Sequence, residues 1–205
     1  MPEKPWIQTY NGHAVDLLNP SANDIDHIDI AHALSLINRF TGHTTEAWSV
    51  AQHSVVGSIL AEVIYPEIKW LPHQFLFHDA AEAYVGDVSS PLKSVLVGYR
   101  DIEEKHKKCI EARFAISLGG HWEKLVDLRM LITERNLLMP DSKRQWSVEE
   151  KPFTFDEFKE YLTMKPDKTL PPDTEIQLFW NWLWTPWLPE DAETAFLDRM
   201  EHLGI

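Results

Sequence analysis

Two histidines and two aspartates have the side-chain chemistry and the setting to bind a divalent metal. His53 lies in an almost entirely apolar segment, and the adjacent His78 and Asp79 lie in another segment rich in large apolar residues. Buried imidazole and carboxylate groups are costly unless they are paired or bound to a metal. Together with Asp127 they form a set of nitrogen and oxygen donors suited to a divalent metal, with no thiolate required.

Each of these residues also has an ordinary interpretation. His53 by itself fits a core histidine bonded to a backbone carbonyl, and Asp127 by itself fits a surface residue. The combination of two imidazoles and two carboxylates on three predicted helices favours a metal site, because helix bundles commonly build metal sites in this way.

Glu82 lies close in sequence to two of these candidate ligands. It follows His78 by four residues and Asp79 by three, so on one continuous helix the three side chains would share an edge. The spacing therefore predicts that Glu82 lies beside His78 and Asp79.

The elements that must position these residues are predicted to be helices. Apolar residues recur at helical spacing through the first two thirds of the chain, and strand-like alternation is hard to find. We expect helices near residues 46–65, 71–84, 99–118, 122–139 and 190–203, and a first helix that carries Ile30 to Ile37 and ends at Gly42. Seven of the 13 prolines lie between Pro140 and Pro189, which predicts loops and short helices there.

The overall prediction is an all-α fold in one domain over residues 1–205. Its helical core covers about residues 28–139, and a loop-rich C-terminal extension covers about residues 140–205. Four tryptophans within residues 180–187 are interpreted as part of a core lid or a subunit interface, with stacking on a nucleobase as the alternative.

The composition restricts the partners and the compartment. The formal net charge of −13 disfavours binding to nucleic acid polymers and to anionic membranes. No apolar run approaches the ~18 residues of a membrane span, the first residues do not form a signal peptide, and the one cysteine, Cys109, suits a reducing compartment. We expect a cytoplasmic protein with no membrane partner. Its oligomeric state stays open between a monomer and a homo-oligomer.

Five short strings between about Asp29 and Leu138 carry a family resemblance. They are LINRF at 36–40, SVAQHS at 49–54, HDAAE at 78–82, DVSSPLK at 87–93, and Asp127 followed by Thr133-Glu134. In this order they resemble the HD-domain phosphohydrolase superfamily, an all-α family of metal-dependent phosphate hydrolases. The match is closer to its small nucleotide-hydrolysing branch, which includes bacterial 5′-deoxynucleotidases and phage dATP triphosphohydrolases.

The resemblance assigns a role to each matched position. The metal ligands that it implies are His53, His78, Asp79 and Asp127. The catalytic acid residues that it implies beside the reactive water are Glu82 and Asp87. The substrate-binding residues that it implies are Arg39, which would hold phosphate, Phe40, and Lys93 near the phosphate end. The loop residue His43 fits either a further phosphate contact or an ordinary surface histidine.

The sequence departs from the family pattern at two positions. Gln52 stands where the usual residue before the first metal ligand is Glu, and Phe40 stands where the bacterial deoxynucleotidases have Trp. The second departure bears on sugar and base selectivity.

The implied function is hydrolysis of (deoxy)ribonucleotide phosphate esters at a mononuclear divalent metal, which could be Mn, Co, Mg, Zn or Fe. Two reactions share the motifs: a deoxynucleoside monophosphate gives nucleoside, or a triphosphate such as dATP gives nucleoside plus triphosphate. In an acidic chain Arg39 and Lys93 would have to supply the local positive charge. The alternative is a non-catalytic helical protein that binds a metal or nucleotide, although such a protein would need neither Glu82 nor Asp87.

Overall fold

The computed structural model describes residues 5–164 and 171–205, and this part of the chain is mostly helical. The helices, in chain order, are α1 (His27–Leu36), α2 (Val50–Ile64), α3 (Leu71–Phe77), α4 (Glu82–Val85), α5 (Ser90–Lys93), α6 (Tyr99–Phe114), α7 (His121–Leu138), α8 (Phe155–Thr163), α9 (Asp173–Trp184) and α10 (Pro189–Leu203). The all-α prediction is confirmed. An antiparallel hairpin of β1 (Trp6–Gln8) and β2 (Ala14–Asp16) precedes the helices, and its strands are too short to show an alternating pattern in the sequence.

Helix α2 is the centre of the fold. Nearly all its side chains are buried, and it packs against α1, α3, α7, α8 and α10. Ser49 begins it by accepting a hydrogen bond from the backbone N–H of Gln52 through its hydroxyl oxygen. Gly57 lets α3 approach closely, since a Cβ atom at this position would lie 2.0 Å from the ring of Phe75. His53 on α2 therefore lies near the end of α3.

The predicted helix over residues 71–84 is wrong, because the chain turns sharply in its middle. Helix α3 ends at Phe77 and α4 begins at Glu82, so His78 and Asp79 lie in the connecting turn. Here the backbone N–H groups of His78, Ala80 and Glu82 each donate to the carbonyl three residues back, at 3.4, 3.0 and 2.9 Å. This tighter winding redirects the chain, and Glu82 does not share one helix edge with His78 and Asp79.

The segment between α1 and α2 folds back on itself instead of extending α1 to Gly42. Two backbone hydrogen bonds join the two halves of this segment. One runs from the N–H of Arg39 to the carbonyl of Trp48 at 2.8 Å, and the other from the N–H of Val50 to the carbonyl of Ile37 at 2.9 Å. The side chain of Arg39 is thereby held beside α2.

The predicted end of the helix over residues 99–118 also differs from the structure. Helix α6 ends at Phe114 with Ala115 in the left-handed region (φ 53°), before the predicted stop at Gly119-Gly120.

The predicted C-terminal extension contains three substantial helices, α8, α9 and α10, and its residues 165–170 lie outside the described part of the chain. Helix α10 packs on α1, α2 and α3. Phe158, Leu183 and Phe196 from this region are fully buried in the same hydrophobic core as α2. Among the described residues, every helix is too short or too polar to cross a membrane.

Candidate metal centre

The two predicted histidine ligands face each other. The Nε2 atoms of His53 and His78 lie 3.2 Å apart. At His53 the other ring nitrogen, Nδ1, lies 2.6 Å from Oε1 of Glu134, and at His78 it lies 2.6 Å from the carbonyl oxygen of Phe75. A neutral imidazole that donates through Nδ1 keeps an acceptor lone pair on Nε2. Both Nε2 lone pairs then point into the same space, as they do in metal ligands.

Two carboxylates close around the same space. Oδ2 of Asp79 lies 3.1 Å from Nε2 of His78, and Oδ1 of Asp127 lies 3.6 Å from Nε2 of His53. Ligand atoms bonded at 2.0–2.2 Å to one metal lie roughly 3–3.5 Å from one another. The ligand atoms of His53, His78 and Asp127 all fall within 4.8 Å of each other. These three residues can hold a metal ion, and Asp79 borders the same position.

The charges in this cluster favour a cation. Burial opposes the charged form of His78, yet Asp79 and Asp127 outweigh it and raise the pKa of this imidazole well above its ordinary value. Burial likewise opposes ionisation of Asp79, but His78, Arg39 and His53 hold the pKa of this carboxyl well below its usual range. The cluster thus stabilises positive charge at its centre, which a proton or a metal ion can provide.

Glu134 links the cluster to the residue predicted to hold phosphate. Its fully buried carboxylate accepts hydrogen bonds from Nε1 of Trp48 at 2.8 Å and from Nε of Arg39 at 3.1 Å, in addition to facing Nδ1 of His53. Nη1 of Arg39 in turn donates to Oδ2 of Asp79 at 3.3 Å. Sequence reasoning placed Glu134 in a matched string without a role. Its spacing of seven residues from Asp127, which puts both on one face of α7, is the signal that points to it.

Two members of the cluster, Asp79 and Asp127, line a cleft of about 650 Å³. The predicted site residues that line the cleft are Arg39, Phe40, His43, Asp79, Glu82, Asp87, Lys93 and Asp127. His53 and His78 are buried, with at most 5% of their surface exposed. The structure therefore brings together all the predicted site residues. It also adds Trp146, from the irregular segment between α7 and α8, to the cleft wall.

Glu82 and Asp87 are acidic groups in unusual surroundings. Burial, reinforced by the nearby charges of Asp79 and Asp87, raises the pKa of Glu82 well above its ordinary value. Its Oε2 atom is buried and has no hydrogen-bond partner among the described residues. Asp87 follows Gly86, whose positive φ of 80° turns the chain back toward the cleft, and burial raises the pKa of Asp87 as well. Such carboxyl groups are suited to proton transfer.

The predicted substrate cations are bonded to acidic side chains. Nζ of Lys93 donates to Oε1 of Glu82 at 3.2 Å and to Oε1 of Glu103 at 2.6 Å. Burial opposes its charge, but these carboxylates outweigh that effect and raise the pKa of Lys93. His43 is an exposed residue at the rim of the cleft.

Gln52, which departs from the family pattern, anchors the tryptophan-rich segment. Its side-chain NH₂ donates to the carbonyls of Leu183 and Thr185 at 3.2 and 2.8 Å, and its Oε1 accepts from the backbone N–H of Trp187 at 3.0 Å. Trp184 stacks on Trp48, with ring centroids 6.0 Å apart. The residues lining the cleft include none of the four tryptophans at 180–187. This segment thus packs against the start of α2 through Gln52 and lies outside the lining of the cleft.

Comparison with known proteins relates the chain to bacterial proteins. It is 37% identical over 150 residues to the uncharacterized protein YfdR of Escherichia coli K12, and the alignment covers 71% of this chain and 79% of YfdR. The chain belongs to the same family as YfdR. It is also 34% identical over 119 residues to the uncharacterized protein RCAP_rcc00048 of Rhodobacter capsulatus, over 56% of this chain and 60% of that protein. No family model matches the chain. The names of these two relatives state no activity.

Proposed function

We propose that this protein is a metal-dependent phosphohydrolase of the HD-domain type that acts on small nucleotides, most favourably deoxynucleotides, in the cytoplasm. The observation that carries the proposal is the convergence of His53, His78, Asp79 and Asp127 beside a cleft that the two aspartates line. The same cleft holds a buried arginine and two carboxyl groups with raised pKa values. A site that only stabilised the fold would need neither an open cleft nor these acids.

Phosphate is the ligand group that the cations of the cleft fit best. Arg39 is 9% exposed and its guanidinium lies beside Asp79. The planar donors of arginine match phosphate oxygens in a bidentate manner. The ammonium of Lys93 provides a second positive charge farther along the wall. A small phosphate ester can reach these groups, whereas a chain of net charge −13 repels a polymeric nucleic acid.

Hydrolysis assigns a task to each acidic group. A divalent metal bound by the cluster would supply a Lewis acid that polarises the phosphate and activates water. Oε2 of Glu82 accepts the proton of the water as its oxygen attacks phosphorus, and Arg39 balances the charge on the phosphate oxygens. The bond from phosphorus to the leaving oxygen breaks, and the carboxyl group of Asp87 donates its own proton to that oxygen. Glu82 then releases the proton it took from the water to solvent, and Asp87 takes one up from solvent, so both groups return to their starting states.

The competing candidate is a binding protein that keeps the metal and nucleotide sites without turnover. The two carboxyl groups of Glu82 and Asp87 in the lining of the cleft favour hydrolysis over this alternative, since metal binding alone would need neither of them. Whether the substrate is a monophosphate or a triphosphate depends on the wall of the cleft that faces the second and third phosphates.

A hydrolysis screen tests the proposal. The metal-loaded protein is incubated with deoxynucleoside and ribonucleoside mono-, di- and triphosphates in the presence of Mn, Co or Mg, and the nucleoside and the released phosphate or triphosphate are identified. We expect nucleoside release, with deoxynucleotides preferred. Absence of turnover on every nucleotide, with metal demonstrably bound, would refute the proposed hydrolase and favour the non-catalytic binding protein.

Substitution of Glu82 separates catalysis from metal binding. We expect Glu82→Ala to keep a metal content close to that of the wild type while the rate falls by about 10²-fold or more, as is typical for loss of a general base. Glu104→Ala is the matched control, because this carboxylate is exposed on α6 and pairs only loosely with Lys108 at 3.8 Å. Loss of the metal from the Glu82 variant would instead make Glu82 a ligand.

A further inference from the structure

We propose that Trp146 and Phe40 form an aromatic wall that stacks on the nucleobase of the substrate, so that Trp146 is a specificity-determining residue. This inference rests on the proposed function and adds to it the part of the site that recognises the base. Trp146 lies in none of the sequence strings that resemble the HD-domain family, and nothing in its sequence neighbourhood indicates a role.

Trp146 is not a core residue. It lies in the irregular segment between α7 and α8, it is 37% exposed, and the residues on either side of it are exposed. Its ring centroid lies 6.1 Å from that of Phe40, with 52° between the ring planes. A tilted pair of this kind leaves ring surface uncovered toward the cleft that both residues line. Large aromatic side chains kept partly open beside a cleft are typical of ligand contacts.

Phe40 is held at the cleft by a strained backbone. Both Phe40 and Thr41 adopt left-handed conformations, with φ of 56° and 55°, which side chains other than glycine seldom accept. The segment is fixed in place on both sides, by the bond from Arg39 N–H to the carbonyl of Trp48 and by one from Thr45 N–H to the carbonyl of Leu138 at 2.8 Å. Strain of this kind collects at functional sites. Here it presents the ring of Phe40 to the cleft, where Cζ of Arg39 lies 5.6 Å from its centroid.

The lining of the cleft offers two kinds of group to one ligand. Arg39 and Glu82 are buried polar groups beside the metal cluster, and the rings of Phe40 and Trp146 are more exposed aromatic surfaces. A ligand that satisfies both kinds of group has a phosphate group joined to a flat aromatic ring, which describes a nucleotide. The volume of about 650 Å³ lies in the usual range for sites that bind molecules of this size. Any base can stack, because every base has a π face.

The test compares a ligand that has a base with one that lacks it. Deoxyadenosine 5′-monophosphate and deoxyribose 5-phosphate are titrated by calorimetry into the Mn-loaded Glu82→Ala protein, with and without Trp146→Ala. The Glu82 substitution is used because it should slow turnover by about 10²-fold or more. We expect Trp146→Ala to weaken binding of the nucleotide by about 10-fold or more and to leave the sugar phosphate unaffected. Trp146→Phe should recover most of the affinity. In the catalytically intact protein Trp146→Ala should raise KM with little change in kcat.

Trp182→Ala is the matched control, since Trp182 is similarly exposed at 44% but lies outside the cleft. Equal weakening of both ligands by Trp146→Ala would overturn the inference, because it would make Trp146 a support of the cleft. An unchanged nucleotide affinity would overturn it too. Binding that depends on Trp146 without any turnover of the intact protein would support the aromatic wall and refute the hydrolase. A protein that neither binds nor hydrolyses any nucleotide would refute both.

Discussion

At the scale of single residues, the two imidazoles of the cluster are oriented by what bonds their Nδ1 atoms. The carbonyl of Phe75 orients His78, and the carboxylate of Glu134 orients His53. A carboxylate behind a histidine fixes the tautomer and makes the other nitrogen a better ligand. Because the same carboxylate also holds Arg39, Glu134 fixes the candidate metal site relative to the residue proposed to bind phosphate.

Substitution of Glu134 should therefore affect the metal site without removing a ligand. In Glu134→Gln an NH₂ group replaces one of the two acceptor oxygens. It must then face groups that are themselves donors, either Nε of Arg39 or the pair formed by Trp48 and His53. We expect the affinity for Mn to fall by about 10–100-fold, the usual effect of losing a partner behind a ligand. Calorimetric titration of the chelator-treated protein measures it, with Glu104→Gln on the exposed face of α6 as the control. Unchanged affinity would show that Glu134 does not orient His53.

At the scale of elements, the site depends on how closely α2 and α3 approach each other. The ring of Phe75 lies between them, with its centroid 5.5 Å from that of His53 and 4.2 Å from that of His78. Gly57 provides the space for this ring. Packing at Gly57 is thus coupled to the geometry of both histidines.

Gly57→Ala tests this coupling, because propensity and packing predict opposite signs. In a helix interior alanine is favoured over glycine by about 1 kcal/mol, but overpacking a core costs about 1–3 kcal/mol. The added Cβ would lie 2.0 Å from Cε1 of the fully buried Phe75, so we expect a lower free energy of unfolding in urea and weaker Mn binding. Phe75→Leu in the same protein should relieve part of the loss. A Gly57→Ala protein that is more stable than the wild type would contradict the proposed coupling. So would a double variant whose loss of stability equals the sum of the losses of the two single variants.

The elements also show how far the sequence predicts this site. Apolar periodicity locates α2 and α7 to within a few residues, apart from the start of α2, and these helices carry His53 and Asp127. Periodicity does not reveal the turn at 78–81, because apolar residues such as Phe77, Ala80 and Ala81 continue at helical spacing through it. The turn depends on hydrogen bonds to carbonyls three residues back. Trp146 could not be predicted from the sequence for a related reason. Its segment is irregular, and its proposed role depends on a tertiary contact with Phe40.

At the scale of the whole molecule, the proposed binding of an anion in the cleft would require a metal ion at the candidate site. The chain carries a net charge of −13, and the cleft is itself acidic: its cations Arg39 and Lys93 are both bonded to carboxylates. Carboxylate groups outnumber these cations in the cleft lining. Without a divalent ion, the local potential would oppose phosphate binding. The metal centre is therefore the feature on which the proposed activity and the proposed base recognition both depend.

The most direct test is a titration of the chelator-treated protein with Mn, with His78→Ala and a control of similar chemistry, His121→Ala, measured in parallel. His121 is exposed at the start of α7 and lies outside the cluster. We expect a single ion per chain in the wild type and in the control. In His78→Ala the affinity should fall by at least about 100-fold, since loss of a ligand exceeds the 10–100-fold cost of losing a partner behind one. A wild-type protein that binds no ion, or a His78 variant that binds as the wild type does, would contradict the metal centre.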